Sequence, residues 1–336
     1  MPLLRYIGRR ILFVIPQLFG IILVSFFLVK LIPGDPAVMM LGPTASRQSL
    51  DDLRQKMGFT KPLWSQLLSY LHDVVRGDLG TSWQTTQPVT EDLFQRFPAT
   101  LELISFGLLL AIAIGFPLGI AAARLKRGPV RKFADYYGLL AGAIPDFWLA
   151  LVLIFIFYTK LNWSPPPLGR IDMAVLPPPT VTGSMVIDSL LAGDWDSLVS
   201  SFSHLVLPVL TLGLINAGPI LKMTQSTMER TLASDFVRYA DMCGLPRRVV
   251  LRQAIRAALP SVVTIVSVLY GFLIGGAVLV EIVFSWGGAG QYAVQGVLNA
   301  DINPVLGFVV FSAIVSLIIY LLVDLLYFAL DPRTRA

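Results

Sequence analysis

Four carboxylates stand within or beside the long apolar stretches of this sequence: Glu102, Asp146, Glu281 and Asp324. A carboxylate at the centre of a bilayer costs about 3 kcal/mol on insertion scales, so each should face water, the interface or the interior of a helix bundle. Such groups bind protons or ions along a transport pathway, or they hold helices together through hydrogen bonds. Both roles are open for Asp146, which follows Pro145 and lies near the middle of its apolar stretch. Glu102, Glu281 and Asp324 lie near the ends of their apolar stretches. For these three, an interhelical hydrogen bond or a position at the membrane interface is favoured over a role in a transport pathway or gate.

Other kinds of site have little support. Cys243 is the single cysteine and His72 and His204 are the two histidines, which excludes a disulfide framework and a Cys/His metal cluster. The sequence contains no Gly-Lys pair, so it lacks the phosphate-binding loop of common ATPases. The His-Glu-x-x-His and Gly-x-Ser-x-Gly motifs of zinc proteases and serine hydrolases are also missing. We therefore predict a non-catalytic chain without a metal or cofactor of its own.

The composition requires a membrane around most of the chain. Of 336 residues, 55% are hydrophobic and only 14% are charged, and the mean hydropathy is +0.72. Soluble domains need about 25% charged residues to cover their surface. The net charge of +5 comes from short basic blocks between apolar runs, so the sequence predicts contact with membrane lipid and no nucleic-acid partner.

Six apolar stretches are long enough to cross about 30 Å of hydrocarbon. They lie at approximately 11–31, 99–123, 137–158, 205–221, 262–281 and 305–330. The prediction is an all-α integral membrane protein with six transmembrane helices, the fourth being the shortest. The first stretch is too long for a cleaved signal sequence and no small-residue cleavage pattern follows it, which favours an uncleaved anchor.

Basic residues predict the orientation. Most of the 26 Lys and Arg residues fall at the two termini and in the second and fourth connections. Because cytoplasmic loops concentrate such residues, both termini are predicted to be cytoplasmic. The first connection, about 32–98, is then a sizeable extracytoplasmic loop.

Two connections outside the cytoplasm differ in pattern. In the first, Leu63, Trp64, Leu67 and Leu71 recur at helical spacing. This predicts an amphipathic helix that lies on the bilayer or packs on the bundle, or else a docking surface for an external partner. The third connection, about 160–204, is rich in Pro and Gly and is predicted to be irregular.

The fourth connection carries a predicted helical hairpin. Ser234 or Asp235 can cap a short helix that ends at Gly244, which supplies a left-handed residue. Pro246 suits the first turn of a second helix, which is predicted to stop at Pro260. Most helix connections take about 2 to 8 residues, so a longer polar hairpin should contact something in the cytoplasm. Its arginines alone would also suit orientation and binding of anionic lipid.

With these features in place, the sequence resembles the inner-membrane permease subunits of ATP-binding-cassette importers. The likeness is to the dipeptide, oligopeptide and nickel branch, most closely to the B-type subunits of dipeptide permeases, and it covers essentially the whole chain. The matching motifs are Leu4-Arg-Tyr-Ile-Gly-Arg-Arg10, Leu31-Ile-Pro-Gly-Asp-Pro36, Met57-Gly-Phe-Thr-Lys-Pro-Leu-Trp64, Arg76-Gly-Asp-Leu-Gly80, Arg96-Phe-Pro-Ala-Thr-Leu-Glu102, Pro145-Asp-Phe-Trp148, Glu281-Ile-Val-Phe-Ser-Trp286, Leu322-Val-Asp-Leu-Leu-Tyr327 and Asp331-Pro-Arg333.

The resemblance implies a type I importer permease fold. It divides the chain into an anchor helix and outer-loop region at 1–97 and a five-helix core domain at 98–330, with a coupling hairpin at 234–260. In this family a cytoplasmic motif of Glu-Ala-Ala, three residues and Gly seats the hairpin in a groove of an ATPase subunit. Here the Glu is missing, as it often is in the peptide branch. The implied coupling residues are Arg238, Tyr239, Ala240, Asp241, Gly244, Leu245, Pro246, Arg247 and Arg248.

The resemblance also implies a function and partners. This chain would form half of a translocation pathway for di- or oligopeptides across the bacterial cytoplasmic membrane, working by alternating access. Its partners would be a second, related permease, two ATP-binding subunits that hold the ATP, and an extracytoplasmic solute-binding protein. Nickel, glutathione, opine or oligosaccharide transport are alternatives within the same class. An autonomous secondary transporter, with Asp146 and Glu102 as proton or ion sites, is the alternative from another class.

Overall fold

The computed structural model describes residues 2–31, 35–42, 44–58, 60–125 and 127–330. Regular structure in these ranges is helical, apart from one isolated bridge between Thr81 and Pro88. Parts of three of the matching motifs, at residues 32–34, 59 and 331–333, lie outside the described residues, as does the side chain of Asp324.

The helices follow one another along the chain with short connections between most of them. In chain order they are α1 (Pro2–Lys30), α2 (Pro36–Leu41), α3 (Arg47–Lys56), α4 (Leu63–Val75), α5 (Val89–Arg124), α6 (Pro129–Leu140), α7 (Asp146–Leu153), a π-helix (Ile154–Lys160), α8 (Met185–Ala192), α9 (Trp195–Leu232), α10 (Asp235–Met242), α11 (Arg247–Gly276), α12 (Val278–Val283), α13 (Ala289–Leu298) and α14 (Ile302–Leu330).

The chain forms two compact units, each assembled from segments that are distant in sequence. The first unit comprises residues 1–99 and 287–318, and the second comprises residues 100–286 and 319–336. These units are not the domains 1–97 and 98–330 inferred from the resemblance, and that division stays a prediction.

Five described helices are long and apolar enough to cross a membrane. The candidate spans are Leu12–Lys30, Val89–Arg124, Trp195–Leu232, Arg247–Gly276 and Ile302–Val323. They coincide with five of the six predicted spans. The prediction that the fourth is the shortest is wrong, because it belongs to α9, a helix of 38 residues. Pro208 and Pro219 do not end this helix, since the φ of proline suits a helix and each proline removes only one backbone hydrogen bond.

The remaining predicted span, 137–158, is not a continuous helix. α6 ends at Leu140, residues 141–145 form a turn, and α7 begins at Asp146 and leads into the π-helix. Pro145 explains the break, because it lacks an amide hydrogen and disfavours helical backbone at the preceding residue. Asp146 is therefore the first residue of a helix and not ten residues into one. Broken helices are stable at membrane depth where the freed backbone groups face protein or water.

In the first unit, the connection after α1 holds three helices, α2, α3 and α4, and α4 confirms the predicted amphipathic helix. Leu67 of α4 is buried, and Trp64 packs edge-on against Phe27 of α1 with ring centroids 6.0 Å apart. Trp64 and Leu68 are nevertheless largely exposed, so α4 presents an apolar surface. In the second unit, the connection 160–204 is irregular only as far as Ser184, after which α8 and α9 begin.

In the second unit, α9 is the central helix and packs against α6, α7, α8 and α11. Its approach to α5 depends on two glycines of α5. A Cβ atom on Gly115 would lie 2.6 Å from the Ala217 carbonyl oxygen, and one on Gly119 would lie 2.7 Å from Cβ of Thr224. The absence of these side chains lets the two backbones pack closely, as small residues do in other membrane helix pairs.

Candidate functional site

The predicted hairpin is formed by α10, a glycine turn and the start of α11. Ser234 precedes α10, but its hydroxyl donates to a backbone carbonyl of the preceding turn and does not cap the helix. At the other end, the Leu245 amide donates to the Ala240 carbonyl oxygen at 3.1 Å and the Gly244 amide donates to the Asp241 carbonyl oxygen at 3.0 Å. Gly244 has φ +72°, a conformation that costs other residues about 1–2 kcal/mol. The local hydrogen bonding therefore explains why glycine stands at this position.

Both arms of the hairpin lead directly into long helices. α9 ends at Leu232, shortly before α10, and α11 runs from Arg247 to Gly276 without a break. The predicted end of the second arm at Pro260 is therefore wrong, because proline in a membrane helix can be accommodated without ending it. At 1.5 Å per residue, α9 is about 57 Å long, well beyond the roughly 30 Å of hydrocarbon.

The hairpin surface combines apolar and basic side chains. Phe236, Tyr239 and Met242 recur every three residues along α10 and are 47%, 67% and 79% exposed. Leu245 and Val249, on the other side of the turn, are also exposed. The exposed polar candidates are Arg238, Asp241, Arg247 and Arg248, while Ala240 is half-buried. Aromatic residues, Met and Arg are the types enriched at the centres of protein interfaces.

A small apolar cluster anchors the base of the hairpin. Ala254 and Ala258 of α11 are fully buried against Met228 of α9 and Ala123 of α5. Alanines one turn apart present a flat face that allows close helix packing. The start of α11 is therefore packed closely against α9 and α5.

Glu102 lies in a buried polar cluster of the second unit. Its Oε2 accepts a hydrogen bond from Nη2 of Arg170 at 2.5 Å, and its Oε1 accepts from the Ser184 hydroxyl at 2.6 Å and the Val186 amide at 2.9 Å. The Val186 amide belongs to the first turn of α8, where a helix favours negative charge. Arg170 also donates to the Gly183 carbonyl oxygen at 3.0 Å. The carboxylate thus joins α5, the loop after the π-helix and α8.

A second buried carboxylate organises the same loop. Asp188 accepts hydrogen bonds at 2.7–3.2 Å from the amides of Val181, Thr182 and Gly183 and from the Thr182 hydroxyl. Burial by itself would raise the pKa of Asp188, but the hydrogen bonds outweigh burial and the pKa lies below its ordinary value. Sequence reasoning missed Asp188 and Arg170, because a loop without periodicity carries no signal for tertiary contacts.

Glu281 also forms an interhelical hydrogen bond. Its side chain is fully buried in α12, and its Oε1 accepts a hydrogen bond from the Thr100 hydroxyl of α5 at 2.5 Å. For Glu102 and Glu281 the geometry favours the hydrogen-bonded alternative over a pathway or gate.

Asp146 differs from these two acids. It is partly exposed at the start of α7, and its side chain makes no hydrogen bond or ion pair with any residue that the structure describes. Asp146 remains the candidate pathway residue among the acids, and this role stays a prediction.

The hairpin residues that sequence reasoning missed are Phe236, Met242 and Val249. Their signal was available, because Phe236, Tyr239 and Met242 share one face of a short helix that also carries charges. Like most of the predicted hairpin residues, these three are exposed.

Two family models match this chain and together cover most of it. The binding-protein-dependent transport system inner membrane component matches residues 115–336, and the N-terminal part of the binding-protein-dependent transport system membrane component matches residues 3–104. The chain belongs to this family. This membership confirms the all-α, membrane-spanning permease fold predicted from the sequence. It also confirms the prediction that the chain is a multi-pass component of the inner membrane, in a family of non-catalytic permease components.

Members of this family with similar sequences carry peptide-transport names. The chain is 37% identical over 334 residues to the dipeptide transport system permease protein DppB of Alkalihalophilus pseudofirmus, covering 99% of this chain and 100% of the relative. It is 38% identical over 315 residues to the probable D,D-dipeptide transport system permease protein DdpB of Escherichia coli, covering 94% and 92%. It is 38% identical over 336 residues to the di/tripeptide transport system permease protein DppB of Pseudomonas aeruginosa, covering 99% of both chains.

Proposed function

We propose that this family member is the permease subunit of a peptide importer that is driven by ATP hydrolysis in partner subunits. The hairpin supports this proposal most strongly, because it presents exposed apolar and basic side chains on a turn between two long helices. The names of the three relatives support di- or oligopeptides as the transported class.

In this proposal the hairpin surface sits in a groove of an ATPase subunit. Tyr239 and Met242 supply apolar contact area, and the arginines Arg238, Arg247 and Arg248 pair with acidic groups of the partner. ATP is bound by the ATPase subunits, and this chain holds no cofactor. Both termini lie on the cytoplasmic side with the hairpin.

The hairpin then converts ATPase closure into helix movement. When two ATPase subunits close on ATP, each hairpin moves with its groove, and the packed contact of α9 with α11 carries the displacement into the membrane as a rigid-body rotation. A second, related permease completes the central cavity, which opens alternately to the two sides. An extracytoplasmic binding protein delivers the peptide to it.

The test is the variant Gly244→Arg, with two matched controls. Gly77 also has a left-handed backbone, with φ +80° against +72° for Gly244, and a Cβ atom at either position meets nothing within 4 Å. Gly77→Arg therefore adds the same side chain and similar strain outside the hairpin. Gly244→Asn keeps the turn, because asparagine tolerates the left-handed conformation.

The measurement is recovery of partner chains with the tagged protein from native membranes, together with uptake of labelled dipeptides. We expect Gly244→Arg to reduce ATPase recovery by about tenfold or more, the size of effect seen for a central interface residue, and to abolish uptake. Gly77→Arg and Gly244→Asn should retain the ATPases. Normal uptake by the Gly244→Arg variant would rule out the coupling role, and dipeptide uptake that is unchanged when this chain is deleted would rule out the peptide assignment.

A further inference from the structure

A cleft of about 650 Å³ lies in the second unit, between the loop after the π-helix and the start of α9. His204 is the last α9 residue that lines it, and the apolar stretch 205–221 begins directly afterwards. From His204 to Leu232, at the hairpin end of α9, the helix runs for about 42 Å, more than the roughly 30 Å of hydrocarbon. The cleft therefore lies at the end of α9 opposite the hairpin, on the side predicted to be extracytoplasmic.

The walls of this cleft carry negative charge without a basic residue. Asp172, Asp194 and Asp196 line it, and none of the residues that line it is Lys or Arg. The sequence contains no Lys or Arg anywhere in residues 171–221. The nearest preceding basic residue, Arg170, is already paired with a buried carboxylate. The negative charge of the cleft is therefore not balanced by the surrounding chain.

The hydrogen bonds of these carboxylates do not cancel their charge. Asp172 accepts from the Ala174 amide at 3.0 Å, and Asp194 caps α9 by accepting from the Ser197 amide at 3.1 Å. All these donors are neutral. The hydroxyl and amide of Ser197 hold the pKa of Asp194 below its usual range, which keeps this carboxylate charged. Asp196 is exposed and makes no side-chain hydrogen bond within the described chain.

His204 adds a buried acceptor to the same cleft. Its side chain belongs to a residue that is only 7% exposed, and its Nδ1 lies 2.9 Å from the Ser200 carbonyl oxygen. Because a carbonyl only accepts, Nδ1 carries the hydrogen of the neutral ring and Nε2 is left as an acceptor. Nε2 has no hydrogen-bond partner among the described residues, and unlike the Ser201 hydroxyl it is not shut off from solvent.

The cleft thus presents carboxylate oxygens and an imidazole nitrogen, all of which need donors. Among the described residues, no three His, Cys, Asp or Glu side chains are placed to hold a metal ion. An ammonium or guanidinium group, which carries several N–H donors and a positive charge, meets the requirement.

Large apolar side chains surround these acceptors. Leu176 and Val199 line the cleft and are 84% and 68% exposed, and Met173 and Trp195, next to two of the aspartates in the chain, are 88% and 69% exposed. A small free cation would leave these side chains in water. A protein partner covers them, and the alkyl stem of its Lys or Arg packs on apolar surface while the charged head reaches the carboxylates.

We propose that this cleft receives a lysine or arginine side chain of the extracytoplasmic binding protein, with the charged group at Asp172, Asp196 and His204. The inference rests on the proposed function and adds to it a contact that selects the partner by charge. The family is described as part of a binding-protein-dependent system, and a soluble extracytoplasmic protein can reach the cleft from the side on which it is predicted to open.

The experiment uses the complete importer. In native membranes, photoreactive p-benzoylphenylalanine replaces Leu176, or as a control the exposed Leu68 of α4 in the first unit, and mass spectrometry identifies the crosslinked chains. The binding protein recovered with the wild-type importer is then titrated onto importer in nanodiscs at low and high salt. The test variant is Asp172→Asn/Asp196→Asn, which changes two exposed acids and leaves the α9 cap in place. Asp52→Asn/Asp73→Asn, which removes two exposed acids of the first unit, is the matched control.

We expect position 176, but not position 68, to crosslink to the soluble binding protein. Asp172→Asn/Asp196→Asn should weaken binding by about tenfold, the usual size for hydrogen bonds to a charged group, whereas the control variant should bind like the wild type. Binding by the test variant should also depend less on salt, because salt screens pairing between exposed charges. Its unfolding temperature and its recovery of ATPase subunits should match the wild type.

Two results would overturn this inference and leave the proposed function intact. One is crosslinking of position 176 to membrane subunits alone, and the other is equal affinity of the binding protein for the wild type and for Asp172→Asn/Asp196→Asn. Recovery of neither a binding protein nor ATPase subunits with the wild-type chain would instead refute the proposed function, and this inference with it.

Discussion

Replacing Glu102 tests whether this acid holds the second unit together or takes part in transport. The Glu102 side chain is 1% exposed and that of its partner Arg170 is 12% exposed. Its carboxylate accepts three hydrogen bonds, from Arg170, Ser184 and Val186. In Glu102→Ala the guanidinium and two further donors lose their acceptor in a buried environment.

The expected loss follows from these contacts. Removing one partner of a buried ion pair costs about 3–5 kcal/mol, because the remaining charge is left uncompensated. For a unit of this size, 1 kcal/mol lowers the unfolding temperature by about 2–4 °C, so the predicted decrease is roughly 10 °C. Glu102→Gln with Arg170→Leu should recover part of the loss, since no unpaired charge remains.

The assay is thermal unfolding of the purified chain in detergent, in parallel with uptake by cells. Glu91→Gln, an exposed acid in the first turn of the same helix, is the control and should leave the unfolding temperature unchanged. An unfolding temperature of Glu102→Ala within about 2 °C of the wild type, a shift of less than 1 kcal/mol, would refute the structural reasoning. Loss of uptake in a Glu102→Ala variant of unchanged stability would instead support a role for Glu102 in the transport pathway.

Two further predictions concern the same unit. Asp188→Asn should destabilise the protein by about 2 kcal/mol at neutral pH. The pKa of Asp188 is lower in the folded protein than its ordinary value of 3.8. The carboxylate therefore contributes its full stabilisation above pH 3.8, and this contribution is lost as the pH falls through the folded pKa. Thermal unfolding across this range should show the difference from wild type shrinking below that value, with the exposed Asp196→Asn as control, and a difference independent of pH would contradict the assignment. Gly115→Ala should lower the free energy of unfolding by about 1–3 kcal/mol, because the added Cβ meets the Ala217 carbonyl oxygen. Gly275→Ala is the control and should not destabilise the protein, because a Cβ atom there meets nothing within 4 Å. Equal unfolding temperatures for the two variants would disprove the close packing of α5 with α9.

Structural features that depend only on residues close together in the sequence could be predicted from the sequence. The apolar stretches identify five of the spans, because length and hydropathy decide whether a helix can cross hydrocarbon. Gly244 and Pro246 predict the hairpin turn, because the left-handed residue and the fixed φ of proline act within one turn of helix. The amphipathic face of α4 follows in the same way from spacing.

The effect of an internal proline was harder to predict. Pro208, Pro219 and Pro260 leave their helices continuous, while Pro145 follows a turn. Local rules assign all four prolines a similar cost, so these rules alone do not single out Pro145 as the proline that stands at a helix break.

The sequence by itself determined that this chain is an all-helical membrane protein with a turn suited to a partner, since hydrophobic length, glycine and proline act locally. Only the tertiary structure decided the roles of its acids. Glu102 meets Arg170 and Ser184 across 68 and 82 residues of chain, and no periodicity in the sequence encodes such contacts. Asp146, with the same carboxylate chemistry, has no such partner among the described residues. The physical reason is that a buried charge is stabilised by whatever donors the fold brings to it, and those donors come from segments far apart in the sequence.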